Sequence, residues 1–338
     1  MNYLNCNIPF VTEGGATLSN LTIAYDTYGQ LNEEKSNVVW VCHALTSNSA
    51  VVEWWPGVVG NNCLIDPAKY FIVCANIIGS CYGSSGPVSN NPLTGKPYFN
   101  HFPAITIRDM VKAHILLKQH LGIENIYLLM AGSMGGYQAL EWCAMERETF
   151  ENVFLITTSA AESAWGIAIH TAQRLAIEAD CTWQGESLEA GKKGLKAARA
   201  IGLLTYRNYH ILVEKQTDKD DNKTDNFKAS SYIHYQGDKL VNRFNAQSYW
   251  LLTKAMDSHN LARGRNKTQE QVLQSMVQKT LIIGIRSDLL CPIQEQKRIA
   301  ENMPNATYIE IDSSYGHDGF LIEYEKILKH MASWLNQR

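Results

Sequence analysis

No stretch of this 338-residue chain approaches the ~20 consecutive apolar residues that a membrane-spanning helix needs, so no membrane partner is expected. Charge of one sign is also scarce. With 30 basic and 33 acidic residues the formal net charge is −3, which leaves no electrostatic footprint for nucleic acid or an anionic membrane surface. The eight cysteines include no C-x-x-C pair, and the ten histidines show no H-E-x-x-H or comparable ligand spacing, so no metal site is expected. Cys42 and Cys74 fall inside apolar, strand-like runs, as reduced thiols of a cytoplasmic enzyme do. In that compartment the sequons at Asn20, Asn222, Asn266 and Asn305 carry no glycan. Residues 1–10 have neither the basic region nor the long apolar core of a secretion signal, which again points to the cytoplasm.

What is present is ordinary globular composition, 45% hydrophobic and 19% charged, on a chain long enough to bury a large core as one α/β domain or two modest ones. Strand-like runs recur at 38–42, 70–75, 126–130, 153–157, 280–285 and 306–311, and 126–130, short, apolar and bounded by polar residues, suits a buried parallel strand. Helical stretches lie between several of them, the alternation expected of a mostly parallel sheet with helices on both faces. The best helix covers about 107–121. Thr106 and Asp109 form a capping box, Ile107, Met110, His114, Leu117 and Leu121 share one face, and Gly122 can end it. From 161 to 278 no strand pattern appears, so this span is expected to be an inserted helical lid subdomain, with 1–160 and 279–338 forming the catalytic domain. The polar run 214–223 within it reads as a solvated surface loop.

Chemistry concentrates at Ala131-Gly132-Ser133-Met134-Gly135-Gly136, which follows an apolar run and precedes a helix. A serine on a tight strand-to-helix turn, flanked by small residues, has the pattern of a nucleophile elbow, although Ala131 stands where G-x-S-x-G has glycine. A serine hydroxyl needs a base to take its proton and a third group to orient that base. Asp288 falls after the run 280–285 and His317 after 306–311, the right types in the order expected after such a serine. Singly, Asp288 could cap the helix beyond Pro292, and His317 could be a loop histidine bonded to backbone; order and strand placement together favour a triad. An oxyanion formed on attack needs preorganised N–H donors, for which Met134 and Leu45 are the candidates. The glycine- and serine-rich run 79–87 lacks the lysine and spacing of a phosphate loop and reads as structural.

With these residues in place the sequence resembles the homoserine O-acetyltransferase family of the α/β-hydrolase superfamily over nearly its whole length. The resemblance is carried by His43-Ala44-Leu45-Thr46, the run 79–87, Gly132 to Gly136 with Gln138 to Trp142, Arg243-Phe244 with Ser248-Tyr249, and Gly316-His317-Asp318 with Phe320-Leu321. Ala198-Arg199, Gly202 and Thr205-Tyr206 resemble the family's lid segment. It implies an α/β-hydrolase fold with a helical lid and an acyl-serine on Ser133, with Asp288 and His317 completing the triad. Acetyl-CoA would be the acyl donor with no bound cofactor. L-Homoserine would be the acceptor, with Arg199 and Tyr206 on its carboxylate side and Asp318 at its ammonium, and a homodimer would form through the lid. Ser47, Leu203, Asn245, Asn260 and Ala131 depart from the family's pattern. Succinyl-CoA as donor, serine as acceptor, simple ester hydrolysis and a non-catalytic binding module are the alternatives.

Overall fold

The computed structural model describes residues 1–337. Ten strands run in chain order: β1 (Asn2–Cys6), β2 (Phe10–Val11), β3 (Thr17–Leu18), β4 (Leu21–Tyr28), β5 (Val38–Cys42), β6 (Phe71–Ala75), β7 (Ile126–Gly132), β8 (Phe150–Ile156), β9 (Lys279–Ile285) and β10 (Ala306–Ile311). β2 and β3 form a small antiparallel pair, and the other eight build one sheet in the order β1-β4-β6-β5-β7-β8-β9-β10. From β6 to β10 every pairing is parallel, while β1 and β4 join that edge antiparallel. All five residues of β5 are buried, the signature of a strand covered on both faces.

The six apolar runs all become strands, with ends that differ from the sequence expectation by no more than three residues. Strand β4 is hidden to such a reading because Thr22, Asp26 and Thr27 interrupt it. Two of its backbone N–H groups are satisfied from outside the sheet: the Ser85 and Ser84 hydroxyls accept from Thr22 and Ala24. That is the use of the run 79–87, a brace along β4.

Helices α1 (Val51–Trp54), α2 (Ile107–His120) and α3 (Met134–Met145) precede β8, and α2 begins with the expected Thr106–Asp109 capping box. Between β8 and β9 lie α4 (Ala164–Glu178), α5 (Lys192–Tyr206), α6 (Tyr209–Gln216), α7 (Lys228–Val241), α8 (Ala246–Asp257) and α9 (Gln269–Gln274). An isolated bridge from Ala161 to Asn260 draws the two ends of this span together. The polar run expected as a loop starts inside α6 and is irregular only from Thr217. After β9 come α10 (Ile293–Asn302), α11 (Gly319–Ile322) and α12 (Tyr324–Leu335). One apolar layer joins the sheet to α2, α3 and the α4–α9 helices, and a second, on the other face, packs Ile327, Met331 and Trp334 of α12. None of the helices among the described residues is long and apolar enough to cross a membrane.

Three histidines are sealed in this core. Burial pushes His43 and His114 down to about 4 and His259 to about 3. His114 stacks on Trp142 and His259 on Tyr137, ring centroids 5.4 and 4.2 Å apart. Each stays neutral when folded and takes a proton on unfolding, so the unfolded chain binds more protons in this window and stability falls as pH drops below about 6.5. Melts between pH 7.5 and 5 should show Tm declining, and the decline should be shallower in His259→Phe, which keeps a ring against Tyr137 and removes one titrating group.

Candidate active site

The C-terminal ends of parallel strands carry the chemistry. Strand order reverses at β5, whose neighbours β6 and β7 continue in opposite directions, and a crevice at such a switch point is where open α/β sheets bind ligands. Ser133 follows β7 and the loop with Leu45 follows the adjacent β5. Asp288 and His317 follow β9 and β10.

Ser133 has φ 56° and ψ −130°, a conformation costly for any residue with a side chain. The turn is held by Ser133 N–H donating to the Ile156 carbonyl, Gly136 N–H donating to the Ser133 carbonyl, and the Thr158 hydroxyl donating to the same oxygen. Its flanking residues must be small. A Cβ on Gly135 would overlap the Cys42 carbonyl, one on Gly136 the Thr158 side chain, and one on Gly132 would lie 2.9 Å from the Phe320 ring. Ala131 is still within β7, fully buried between its partners Cys42 and Leu155, so alanine fits there without strain.

His317 Nε2 lies 2.9 Å from Ser133 Oγ, and its Nδ1 lies 2.8 Å from Asp288 Oδ2. All three side chains are buried. The other Asp288 oxygen accepts from the backbone N–H groups of Leu290 and Cys291, which fixes the carboxylate; α10 is entered at Pro292, and Asp288 does not cap it. Burial disfavours the imidazolium of His317. The Asp288 carboxylate outweighs it by charge and hydrogen bond, and the pKa is raised above the ordinary histidine value. Asp288, Cys291 and His317 have their ligand atoms within 4.8 Å of one another, but burial drives the Cys291 thiol well up, and the other two groups are engaged with each other.

The N–H groups of Leu45 and Met134 have no protein partner among the described residues. Met134 opens α3, so its amide adds the positive end of a helix to the spot beside Ser133.

Ser133 and His317 open on a cavity of about 580 Å³ whose walls also include Leu45, Arg199, Tyr206 and Asp318. The Arg199 guanidinium lies 5.4 Å from the centre of the Tyr206 ring and has no acidic partner within salt-bridge distance among the described residues. Asp318 stands at the N-cap position of α11 without a capping bond, and its carboxylate pairs instead with Arg207 at 3.2 Å. Gly316, with φ 64°, lets the end of α5 approach the His317 turn: a Cβ there would sit 2.9 Å from the Tyr206 carbonyl oxygen. Among the cavity residues that carried no assigned role in the sequence reading are Arg207, Arg243 and His170. Arg243 donates to the Thr46 carbonyl and the Tyr82 hydroxyl, tying the α7–α8 junction to the Leu45 loop. His170 is held through Nδ1 by Asp257, 2.9 Å away, which Arg174 also grips. Adjacency to Phe244 was the available signal for Arg243; nothing local marks Arg207 or His170. Of the departures from the family pattern, Ser47 lines the cavity, while Asn245 caps α8 and Asn260 accepts from Ala262 N–H.

Sheet order, strained serine and its two partners define an α/β hydrolase, and the family model of the α/β hydrolase fold matches residues 37–324. A homoserine O-acetyltransferase of Cyclobacterium marinum is 48% identical over 322 residues, 95% of this chain and 91% of the relative. The crystal structure of homoserine O-acetyltransferase from Staphylococcus aureus is 28% identical with a TM-score of 0.82, covering 100% of this chain and 95% of that one. That of esterase E22, 22% identical with a TM-score of 0.90 over 99% of each chain, shares the fold. The chain belongs to the homoserine O-acetyltransferase family.

Two outcomes are expected of the site. If His317 acts as the base, kcat/KM will rise with its deprotonation, and the acid limb will have its midpoint above the ordinary imidazole value of about 6.5. Asp288→Asn should lower that midpoint and cut kcat by about 10³–10⁴, read from a pH–rate series. Gly135→Ala should destabilise the fold by about 1–3 kcal/mol in urea unfolding, because α3 must retreat from β5.

Proposed function

We propose that this chain transfers an acetyl group from acetyl-CoA to the γ-hydroxyl of L-homoserine through an acyl-serine intermediate. The observation that carries the proposal is the shared cavity, in which the Ser133–His317 pair faces an unpaired guanidinium, Arg199, and a carboxylate, Asp318. An ester or thioester bond alone requires neither. An amino acid presents a carboxylate and an ammonium at fixed separation and requires both.

In the first half-reaction Ser133 Oγ attacks the thioester carbonyl carbon while its proton passes to His317 Nε2. Leu45 and Met134 N–H groups receive the oxyanion. The C–S bond breaks, the thiol leaves with the proton from His317, and Asp288 remains a carboxylate throughout. In the second half His317 Nε2 takes the proton of the homoserine γ-hydroxyl, whose oxygen attacks the acyl carbon. The bond to Ser133 Oγ breaks, and the serine recovers the proton. Arg199, with Tyr206 beside it, holds the substrate carboxylate, and Asp318 takes the ammonium in exchange for Arg207.

Residues 161–278 serve as a lid over this cavity, since α4, α5 and α7 supply His170, Arg199, Tyr206 and Lys239 to its walls. Excluding water is what lets an alcohol capture the acyl-serine. Apolar side chains left exposed on α4 to α7, Trp165, Leu175, Leu204, Tyr209 and Tyr235, support a homodimer formed through the lid. Eight free cysteines, four of them buried, suit a cytoplasmic enzyme.

The test is to mix the protein with L-homoserine or L-serine and with acetyl-CoA or succinyl-CoA, following free thiol and product mass. Acetyl-CoA with homoserine should be the best pair, and Ser133→Ala should release no thiol; a better rate with any other pair, or none above the mutant, overturns the reading. Arg199→Ala should raise the KM for homoserine about 10- to 100-fold, the worth of a charge-assisted hydrogen bond, while leaving hydrolysis of p-nitrophenyl acetate intact.

A further inference from the structure

Leu45 and Met134 sit on different elements, and an oxyanion hole works only if its two donors keep a fixed spacing. One side chain spans both elements. Gln138, one turn into α3 and fully buried, turns its amide nitrogen to the carbonyl oxygens of His43, 3.2 Å away, and Met134, 3.3 Å away. The first belongs to the loop that presents Leu45, and the second is the carbonyl of the other donor residue. Its amide oxygen faces His114 Nε2 at 2.9 Å. The two carbonyls decide which way the amide points: they can only accept, so both N–H bonds face them and the oxygen faces α2, where it accepts from His114 Nε2–H. His43 completes the fixture. Its Nδ1–H donates to the Ala44 carbonyl, and its Nε2 accepts from Ile77 N–H, leaving the loop no freedom to rotate about residue 43.

We propose that Gln138 is a positioning residue that sets the separation of the Leu45 and Met134 N–H donors, with His114 orienting it. This rests on the oxyanion roles proposed above. A glutamine merely filling space would not place both protons of one amide on the two elements that must stay in register. Gln138 lies one turn beyond Met134 on α3, and it reaches neither the cavity nor a substrate.

Two substitutions and one probe test it. Gln138→Met keeps the volume and removes both donors, and His114→Phe keeps the ring against Trp142 and removes the orienting N–H. Turnover of p-nitrophenyl acetate reads the oxyanion hole without CoA or homoserine, so failure of the acyltransfer reading leaves this test intact. In Gln138→Met, kcat/KM for that ester should fall about 10- to 100-fold, less than the full loss of one donor. Inhibition by a trifluoromethyl ketone, which forms a tetrahedral oxyanion on Ser133, should weaken by the same factor. Binding of homoserine measured in a Ser133→Ala background should not change. His114→Phe should show a smaller loss of the same kind, and it carries the test if Gln138→Met does not fold. Unchanged turnover in a folded Gln138→Met, or homoserine binding that falls as far as the ketone, overturns the proposal.

Discussion

One backbone conformation organises this molecule: the left-handed turn at Ser133 between β7 and α3. L-residues avoid it, and it persists because the surroundings over-determine it. Hydrogen bonds from three sides hold the turn, and α3 can start that close to β5 only because glycine occupies 135 and 136. The strain lifts the hydroxyl out of the strand line and toward His317, while the same bend points the first amide of α3 at the space beside it. The proposed nucleophile and one proposed oxyanion donor are thus products of a single turn.

The rest of the site comes to that turn from several distant segments. The sheet brings Leu45 from β5, and its last two strands bring Asp288 and His317. Residues between β8 and β9 then wall the cavity with cationic side chains. Polar side chains bridge these pieces: exposed Arg243 on the Leu45 loop, half-buried Asp257 on His170, and buried Gln138 between the loop and α3. The scaffold is apolar packing, but hydrogen bonds tie its functional loops together, and those of Gln138 lie in a dry interior, where each counts for more than in water.

Much of this was legible in the residues. A doubly buried parallel strand is a continuous apolar run, so β5 could be bounded to the residue; β10, a partly exposed edge strand, could be bounded as well, and the Thr106–Asp109 box marked the start of α2. The elbow announced itself by small residues around one serine. What escaped was whatever depends on partners far away in sequence. β4 is a strand because it pairs with β1 and β6, and serines 60 and 63 residues on brace it. Arg207 and His170 face the cavity because helices α4 and α5 pack as they do, and no local pattern separates them from the other basic residues nearby. Asp318 could be placed beside His317, but not its ion pair with Arg207, which joins the end of α5 to the start of α11.

The order of the elements also has a consequence for synthesis. Ser133 lies in the first half of the chain, whereas Asp288 and His317 follow the last two strands, beyond the six helices that separate β8 from β9. A ribosome therefore releases the strained turn long before its partners exist. Until β10 adds to the sheet edge beside β9, the hydroxyl faces no imidazole. The nascent chain carries a serine with no base beside it, and the pair is completed only as the C-terminal strand docks.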